Sequence, residues 1–108
     1  MTRDDNVYIQ DIIDPIEIII NYVDGKSEND FEESILLQDA VYRRFEIIGE
    51  ASTKVSNDFK DLHPEIEWRL MKLMRNKLIH EYFGISSSSV YATIIEDLPL
   101  LLAKLKTI

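Results

Sequence analysis

Residues that interrupt helices are scarce in this chain. Its 108 residues include three glycines and three prolines, and so few turn formers favour long elements joined by short turns. Near the start, apolar side chains recur at spacings of three and four, at Tyr8, Ile12, Ile16, Ile19 and Val23. This spacing is typical of an amphipathic helix, and no segment shows the alternation expected of a strand. The pattern predicts an all-α fold, an antiparallel bundle of four to five helices that forms a single domain over residues 1–108.

The first predicted helix has a capping residue at each end. Asp4 or Asp5 can accept hydrogen bonds from its first N–H groups, and Gly25 suits the position just after its end. Pro15 lies inside this helix, where its missing N–H predicts a kink.

A second helical pattern spans residues 34–59, with Ile35 and Leu36 as its first apolar positions. Gly49 lowers the helix propensity in the middle of this pattern. We therefore expect the helix to approach a neighbouring helix closely at this glycine.

Two more helices are expected in the last part of the chain. One begins at Trp68, extends to the region of Tyr82 and is closed by Gly84. The other covers residues 90–106, and Pro99 predicts a second kink within it.

The formal net charge of −8 is distributed unevenly along the chain. The first 34 residues carry ten acidic and two basic side chains, whereas the segment from Trp68 to His80 carries four basic side chains and no acidic one. Local potential, and not net charge, decides whether a phosphate can bind. We therefore expect any nucleic acid to bind at a confined site and not along a broad basic face.

The sequence lacks the signatures of several classes of site. Without cysteine it has no disulfide and no cysteine-ligated metal site, which agrees with a cytoplasmic location. No apolar run approaches the roughly 18 residues that cross a membrane, and the first five residues are too polar to open a signal peptide. The common phosphate-binding loops are missing, and the carboxylates of Asp11 and Asp14 have no third ligand beside them. We expect neither a metal nor a cofactor.

One group of residues in the third predicted helix can carry chemistry. Asn76 and His80 lie about 40° apart around the helix axis, whereas Arg75 and His80 lie about 140° apart. This separation favours a two-fold dimer in which a second copy of the helix supplies the facing groups. An arginine binds phosphate as a fixed fork, a histidine moves a proton near neutral pH, and an asparagine can orient the histidine.

These residue types suffice for the cleavage of RNA. The 2′-hydroxyl of RNA is a built-in nucleophile, so the reaction needs a proton acceptor, a proton donor and a group that stabilises charge. The candidate catalytic residues are Arg75, Asn76 and His80, and the candidate RNA phosphate contacts are Arg69, Lys72 and Lys77. Read from the residues alone, the same basic side chains also fit a solvated helix surface.

At these residues the sequence resembles the HepT-like ribonuclease toxins of the HEPN superfamily. Their Arg-x4-His-x-Tyr motif is matched by Arg75, His80 and Tyr82. The likeness extends in the family's order to the segments 5–13, 38–51, 63–68 and 96–99. An ordered set of segments is more specific than the short motif.

The resemblance implies a HEPN-like bundle and a metal-independent endoribonuclease whose composite site lies in the cleft of a homodimer. Arg75 and His80 are then catalytic, and Asn76 is the polar residue that follows the arginine. The resemblance also implies a partner, a small MntA-like nucleotidyltransferase antitoxin that adds AMP to Tyr82 and forms a larger hetero-oligomer with the toxin. An anion attached beside Arg75 competes with the substrate phosphate.

Two functions of other classes also fit the sequence. One is a non-catalytic helical dimer that binds and serves a nucleotidyltransferase, with the motif kept as an interface and modification site. The other is a structural bundle that docks a basic protein on its acidic first helix. Toxicity on expression that Arg75→Ala relieves separates the ribonuclease from both.

Overall fold

The fold is a bundle of helices. The computed structural model describes residues 4–80 and 87–108, with the side chains of Leu73 and of residues 76–80 left out of the description. The helices are α1 (Asp5–Val23), α2 (Glu28–Glu33), α3 (Ile35–Lys54), α4 (Asn57–Leu62), α5 (Trp68–His80), α6 (Ser87–Glu96) and α7 (Leu98–Leu105). No strand occurs within those two ranges. The predicted all-α bundle is confirmed.

The caps of α1 follow the sequence closely. Of the two predicted caps, Asp4 takes the position before the helix, and its carboxylate accepts a hydrogen bond from the Asn6 N–H at 2.9 Å. Gly25 follows the helix with φ of +73°, a conformation that costs glycine little because it has no Cβ. The helix continues through the buried Pro15. A kink at this proline stays a prediction.

The single helix predicted over residues 34–59 is wrong, because α3 ends at Lys54 and α4 begins at Asn57. Ser56 separates the two helices: its hydroxyl accepts a hydrogen bond from the Phe59 N–H at 3.2 Å and so caps α4. The Ser56 N–H and hydroxyl also donate to the Asp5 carboxylate at 2.8 and 2.7 Å. This clasp joins the end of α3 to the start of α1, so the two helices run antiparallel.

The expectation that Ile35 and Leu36 belong to the apolar face of this helix is also wrong. Their exposed fractions are 74% and 82%. Leu36 precedes the buried Val41 by five residues and lies about 140° from it around the helix. At this end of the bundle the core is filled instead by Phe31 of α2, which is fully buried.

The last predicted helix is two helices. A single turn residue, Asp97, separates α6 from α7, and Pro99 lies in the first turn of α7. Proline is tolerated there because the first N–H groups of a helix have no partner within it. The backbone of Asp97 keeps helical angles, with φ of −95° and ψ of −41°, and its N–H donates to the Thr93 carbonyl at 2.9 Å, so a kink at this proline stays a prediction. The third predicted helix is confirmed from Trp68 to His80. Its predicted closure near Tyr82 and Gly84 lies outside the described residues.

The core lies between α1, α3 and α5, and α6 and α7 cover α1. Its fully buried side chains include Ile12, Ile16 and Ile19 of α1, Ile48 of α3 and Met71 of α5. Burial of apolar area at about 25 cal/mol per Å2 makes such side chains the main favourable contribution to folding. None of the helices described for residues 4–80 and 87–108 is long and apolar enough to span a membrane.

Candidate functional site

Helix α5 presents its apolar face to the core and its basic face outward. Met71 and Met74 are buried, whereas Arg69 and Lys72 are exposed and Arg75 is partly exposed. The spacing of three between the two methionines keeps both on the face that packs against α3. The basic side chains are therefore carried on a helix that the core holds in place.

Arg75 lies directly on the backbone of α3. A Cβ added at Gly49 would lie 2.8 Å from the Cδ of Arg75, 2.9 Å from its Cγ and closer still to its Cβ. These distances leave no room for a side chain at residue 49. The close helix approach predicted from Gly49 is confirmed, and its neighbour is the stem of the candidate catalytic arginine.

The guanidinium of Arg75 is held by the next residue of α3. Its Nη2 donates to Oε1 of Glu50 at 2.6 Å. The side chain of Arg75 is 30% exposed and that of Glu50 is 52% exposed, so solvent and an anionic ligand can reach the pair. A guanidinium has five N–H donors in one plane, and a carboxylate on one side leaves the others to bind a phosphate.

Glu50 is a residue that the sequence reasoning missed. The signal that could have found it was Gly49, which marks the point where α3 meets another helix. A residue next to such a contact point is placed to reach the side chain that packs there. The choice of Glu50 as the partner of Arg75 depends on how the two helices are rotated against each other.

The structure describes only some of the other candidate residues. The structure brings Arg69 and Lys72 onto the same helix as Arg75 and leaves both exposed. Asn76, Lys77 and His80 belong to α5, but their side chains lie outside the described residues, as does all of Tyr82. The distance between Arg75 and His80 is therefore not tested.

The described side chains contain no group of three His, Asp or Glu residues arranged to hold a metal ion. The carboxylate of Asp14 instead accepts a hydrogen bond from Gln10 at 2.6 Å. A cleft of about 290 Å3 lies beside Glu50 and is lined by Tyr8, Asp11, Arg43, Ile47, Glu50, Ala51 and Lys54. The chemistry that the described site offers is the binding of an anion by an arginine whose direction is fixed.

Comparison with known proteins gives consistent matches. A family model described as "Ribonuclease HepT-like" matches residues 12–108. A Thermococcus cleftensis protein named "Probable ribonuclease HepT" is 46% identical over 104 residues, which cover 96% of this chain and 94% of that protein. A Caldanaerobacter subterraneus protein named "Putative RNase" is 37% identical, with 94% of this chain and 90% of that protein covered.

A longer relative carries a second named activity. The Methanocaldococcus jannaschii protein named "Gamma-glutamylcyclotransferase and putative RNase" is 39% identical over 101 residues, which cover 94% of this chain and 46% of that protein. This chain therefore spans less than half the length of that relative. No solved structure matches the chain.

Proposed function

Because the chain belongs to the HepT-like ribonuclease family, we propose that it is a metal-independent endoribonuclease and the toxin subunit of a cytoplasmic toxin–antitoxin pair. The observation that carries the proposal is the setting of Arg75. Its stem lies on Gly49 and its guanidinium pairs with Glu50 at 2.6 Å, yet the side chain keeps 30% of its surface exposed. A fixed and accessible guanidinium is suited to bind the phosphate at which RNA is cut.

The proposed reaction uses the RNA as its own nucleophile. The 2′-oxygen attacks the adjacent phosphorus and loses its proton to a base, while the bond from phosphorus to the 5′-oxygen breaks and that oxygen takes up a proton. The products are a 2′,3′-cyclic phosphate and a 5′-hydroxyl. Arg75 stabilises the charge that grows on the phosphate oxygens, His80 transfers a proton, and Asn76 orients the imidazole or a phosphate oxygen.

The composite site needs a second copy of the chain. Residues 75 and 80 lie about 140° apart around the axis of α5, so one helix does not aim both side chains at the same atom. In a two-fold dimer, each copy supplies the group that the other lacks. The homodimer is thus part of the proposal.

The proposal includes a switch at Tyr82. A nucleotidyltransferase partner joins the phenol oxygen to the α-phosphorus of ATP, with release of pyrophosphate and of the phenolic proton. The attached AMP places an anion near Arg75, where it competes with the RNA phosphate. Incubation with the partner and ATP is expected to add the mass of AMP to the wild type and not to Tyr82→Phe, and to stop cleavage.

The first experiment measures cleavage of single-stranded RNA by the purified protein in EDTA. Loss of a general acid or base lowers rates about 10²–10⁴-fold, and we expect that loss in His80→Ala. His63, the second histidine of the chain, gives the matched control: its Nδ1 lies 3.2 Å from Glu65, and His63→Ala is expected to cleave as the wild type does. Equal cleavage by wild type and His80→Ala removes His80 from the mechanism.

Two further variants test the arginine. Arg75→Ala is expected to abolish cleavage, whereas Lys106→Ala, which breaks an exposed pair with Glu17 at 2.8 Å, is expected to leave it unchanged. A 2′-deoxy substitution at the cut site is expected to stop the reaction. Normal cleavage of the deoxy substrate contradicts attack by the 2′-oxygen. A dimer that binds the nucleotidyltransferase but never cleaves RNA is the outcome that supports the non-catalytic alternative.

A further inference from the structure

A second group of basic and aromatic side chains lies where α4 meets the start of α5. Lys60 of α4 is partly buried, and its ammonium nitrogen lies 6.0 Å from the centre of the Trp68 ring. Trp68 is fixed in turn, because its Nε1–H donates to the His63 carbonyl at 3.0 Å. Its ring also lies edge-on to Phe59, with centroids 6.3 Å apart. A tryptophan face attracts a cation at this distance, so the position of Lys60 is defined.

Lys72 brings a second ammonium group to the same place. Lys72 follows Trp68 by four residues and precedes Arg75 by three, so the three residues lie within an arc of about 60° on α5. Burial and the nearby Lys72 ammonium lower the pKa of Lys60 below its ordinary value of 10.5. The two lysines therefore lie close enough to repel each other, one turn of α5 away from the arginine.

Neither lysine forms an ion pair with any carboxylate in residues 4–80 and 87–108, whereas Arg75 pairs with Glu50 and Lys104 pairs with Glu67. Two like charges that lie close together and form no ion pair are stabilised by an anion that binds between them.

We propose that Lys60 and Lys72 form a second phosphate site, which holds the backbone of single-stranded RNA next to the linkage bound by Arg75. The inference rests on the proposed ribonuclease function, since that function brings the RNA to Arg75. Ammonium groups bind the phosphate charge and do not read bases, so the site adds affinity without sequence preference. It supplies the attraction that Arg75, neutralised in part by Glu50, lacks.

The experiment measures how RNA binding depends on salt. The probe is a fluorescein-labelled, fully 2′-O-methylated RNA oligonucleotide, which has no 2′-hydroxyl to attack and stays intact. Fluorescence anisotropy gives Kd over a series of NaCl concentrations, and each phosphate contact contributes about 0.7 to the slope of log Kd against log salt for a single strand. Lys60→Gln and Lys72→Gln are each expected to lower the slope by about 0.7, and Lys72→Arg is expected to restore it.

Lys26→Gln is the matched control. Lys26 follows the end of α1, whereas Ser56, which caps α4, is bonded to Asp5 at the start of α1. A helix of this length separates the two ends by roughly 28 Å. The control therefore removes the same charge far from the proposed site, and its slope is expected to equal that of the wild type.

The possible results separate the two proposals. Slopes that match the wild type in Lys60→Gln and Lys72→Gln overturn the phosphate site, as does an equal fall in all three glutamine variants. Cleavage of unmodified RNA, measured on the same preparations, tests the proposed nuclease activity. If the wild type cleaves RNA and the lysine variants keep the salt slope of the wild type, only the phosphate site is refuted. The expected slopes without cleavage refute only the nuclease. Lys72 is exposed, so Lys72→Gln alone decides the question if Lys60→Gln fails to fold.

Discussion

Gly49→Ala measures how closely α3 holds the stem of Arg75. The added methyl carbon would lie 2.8 Å from Cδ and 2.9 Å from Cγ of Arg75, and closer to its Cβ, which cannot move without the backbone of α5. Overpacking of this kind costs about 1–3 kcal/mol. Alanine is favoured over glycine inside a helix by about 1 kcal/mol. The net expectation is a fall of about 0–2 kcal/mol in the free energy of unfolding.

The effect on cleavage is expected to be much larger than the effect on stability. A displacement of about 1 Å at a reacting group lowers rates about 100-fold, and Arg75 has to shift to admit the methyl group. Urea denaturation followed by circular dichroism gives the stability, and kcat/KM for RNA cleavage gives the activity of the folded protein.

Gly25→Ala provides the matched control for this variant. Its φ of +73° strains any residue with a Cβ, while the added methyl group meets no atom within 4 Å. We expect a stability loss of about 1–2 kcal/mol with normal cleavage by the folded fraction. If Gly49→Ala is about 1 kcal/mol more stable than the wild type and cleaves RNA normally, Arg75 does not lie on Gly49 and the reasoning is refuted.

Three further predictions concern the fold. The hydrogen bonds from Ser56 lower the pKa of Asp5 below its ordinary value of 3.8. We therefore expect the wild type to be thermally more stable than Asp5→Asn above pH 3.8, and the difference to shrink as the pH falls below that value. A difference that does not change with pH contradicts the hydrogen bonds between Ser56 and Asp5. Phe31→Ala removes a fully buried ring and is expected to cost about 3–5 kcal/mol in urea denaturation. The side chain of Leu36 is 82% exposed, so Leu36→Ser is expected to change the free energy of unfolding by less than about 0.5 kcal/mol. A larger loss means that Leu36 is buried in the core.

Local sequence signals predicted the parts of the fold that depend on a few neighbouring residues. The cap at Asp4, the turn at Gly25 and the close contact at Gly49 each follow from the chemistry of one residue, and all three are confirmed. Apolar spacing found the core face of α1 for the same reason, since a helix repeats its faces in a fixed order. The all-α fold follows from these signals together.

The errors arose where one local signal competed with another or with tertiary contacts. The apolar pattern through residues 34–59 continues past Lys54, but Ser56 caps a new helix and binds Asp5 of α1, which is distant in sequence. Ile35 and Leu36 are apolar, but they do not lie on the buried face of α3. Their apolar character alone therefore led to the wrong prediction that they belong to the core. Glu50 was missed because its role depends on how α3 and α5 are rotated in the bundle.

The pair between Arg75 and Glu50 is better explained by direction than by stability. Its partners are 30% and 52% exposed, and ion pairs of such exposure contribute about 0–1 kcal/mol. The cost of the arrangement is also visible, because Glu50 places a negative charge beside the group proposed to bind a phosphate. What the pair supplies is a guanidinium whose orientation is set before the substrate arrives, so less freedom is lost on binding. Because Glu50 weakens the attraction between Arg75 and a phosphate, other cations have to attract the RNA to the site. This is the role proposed for Lys60 and Lys72.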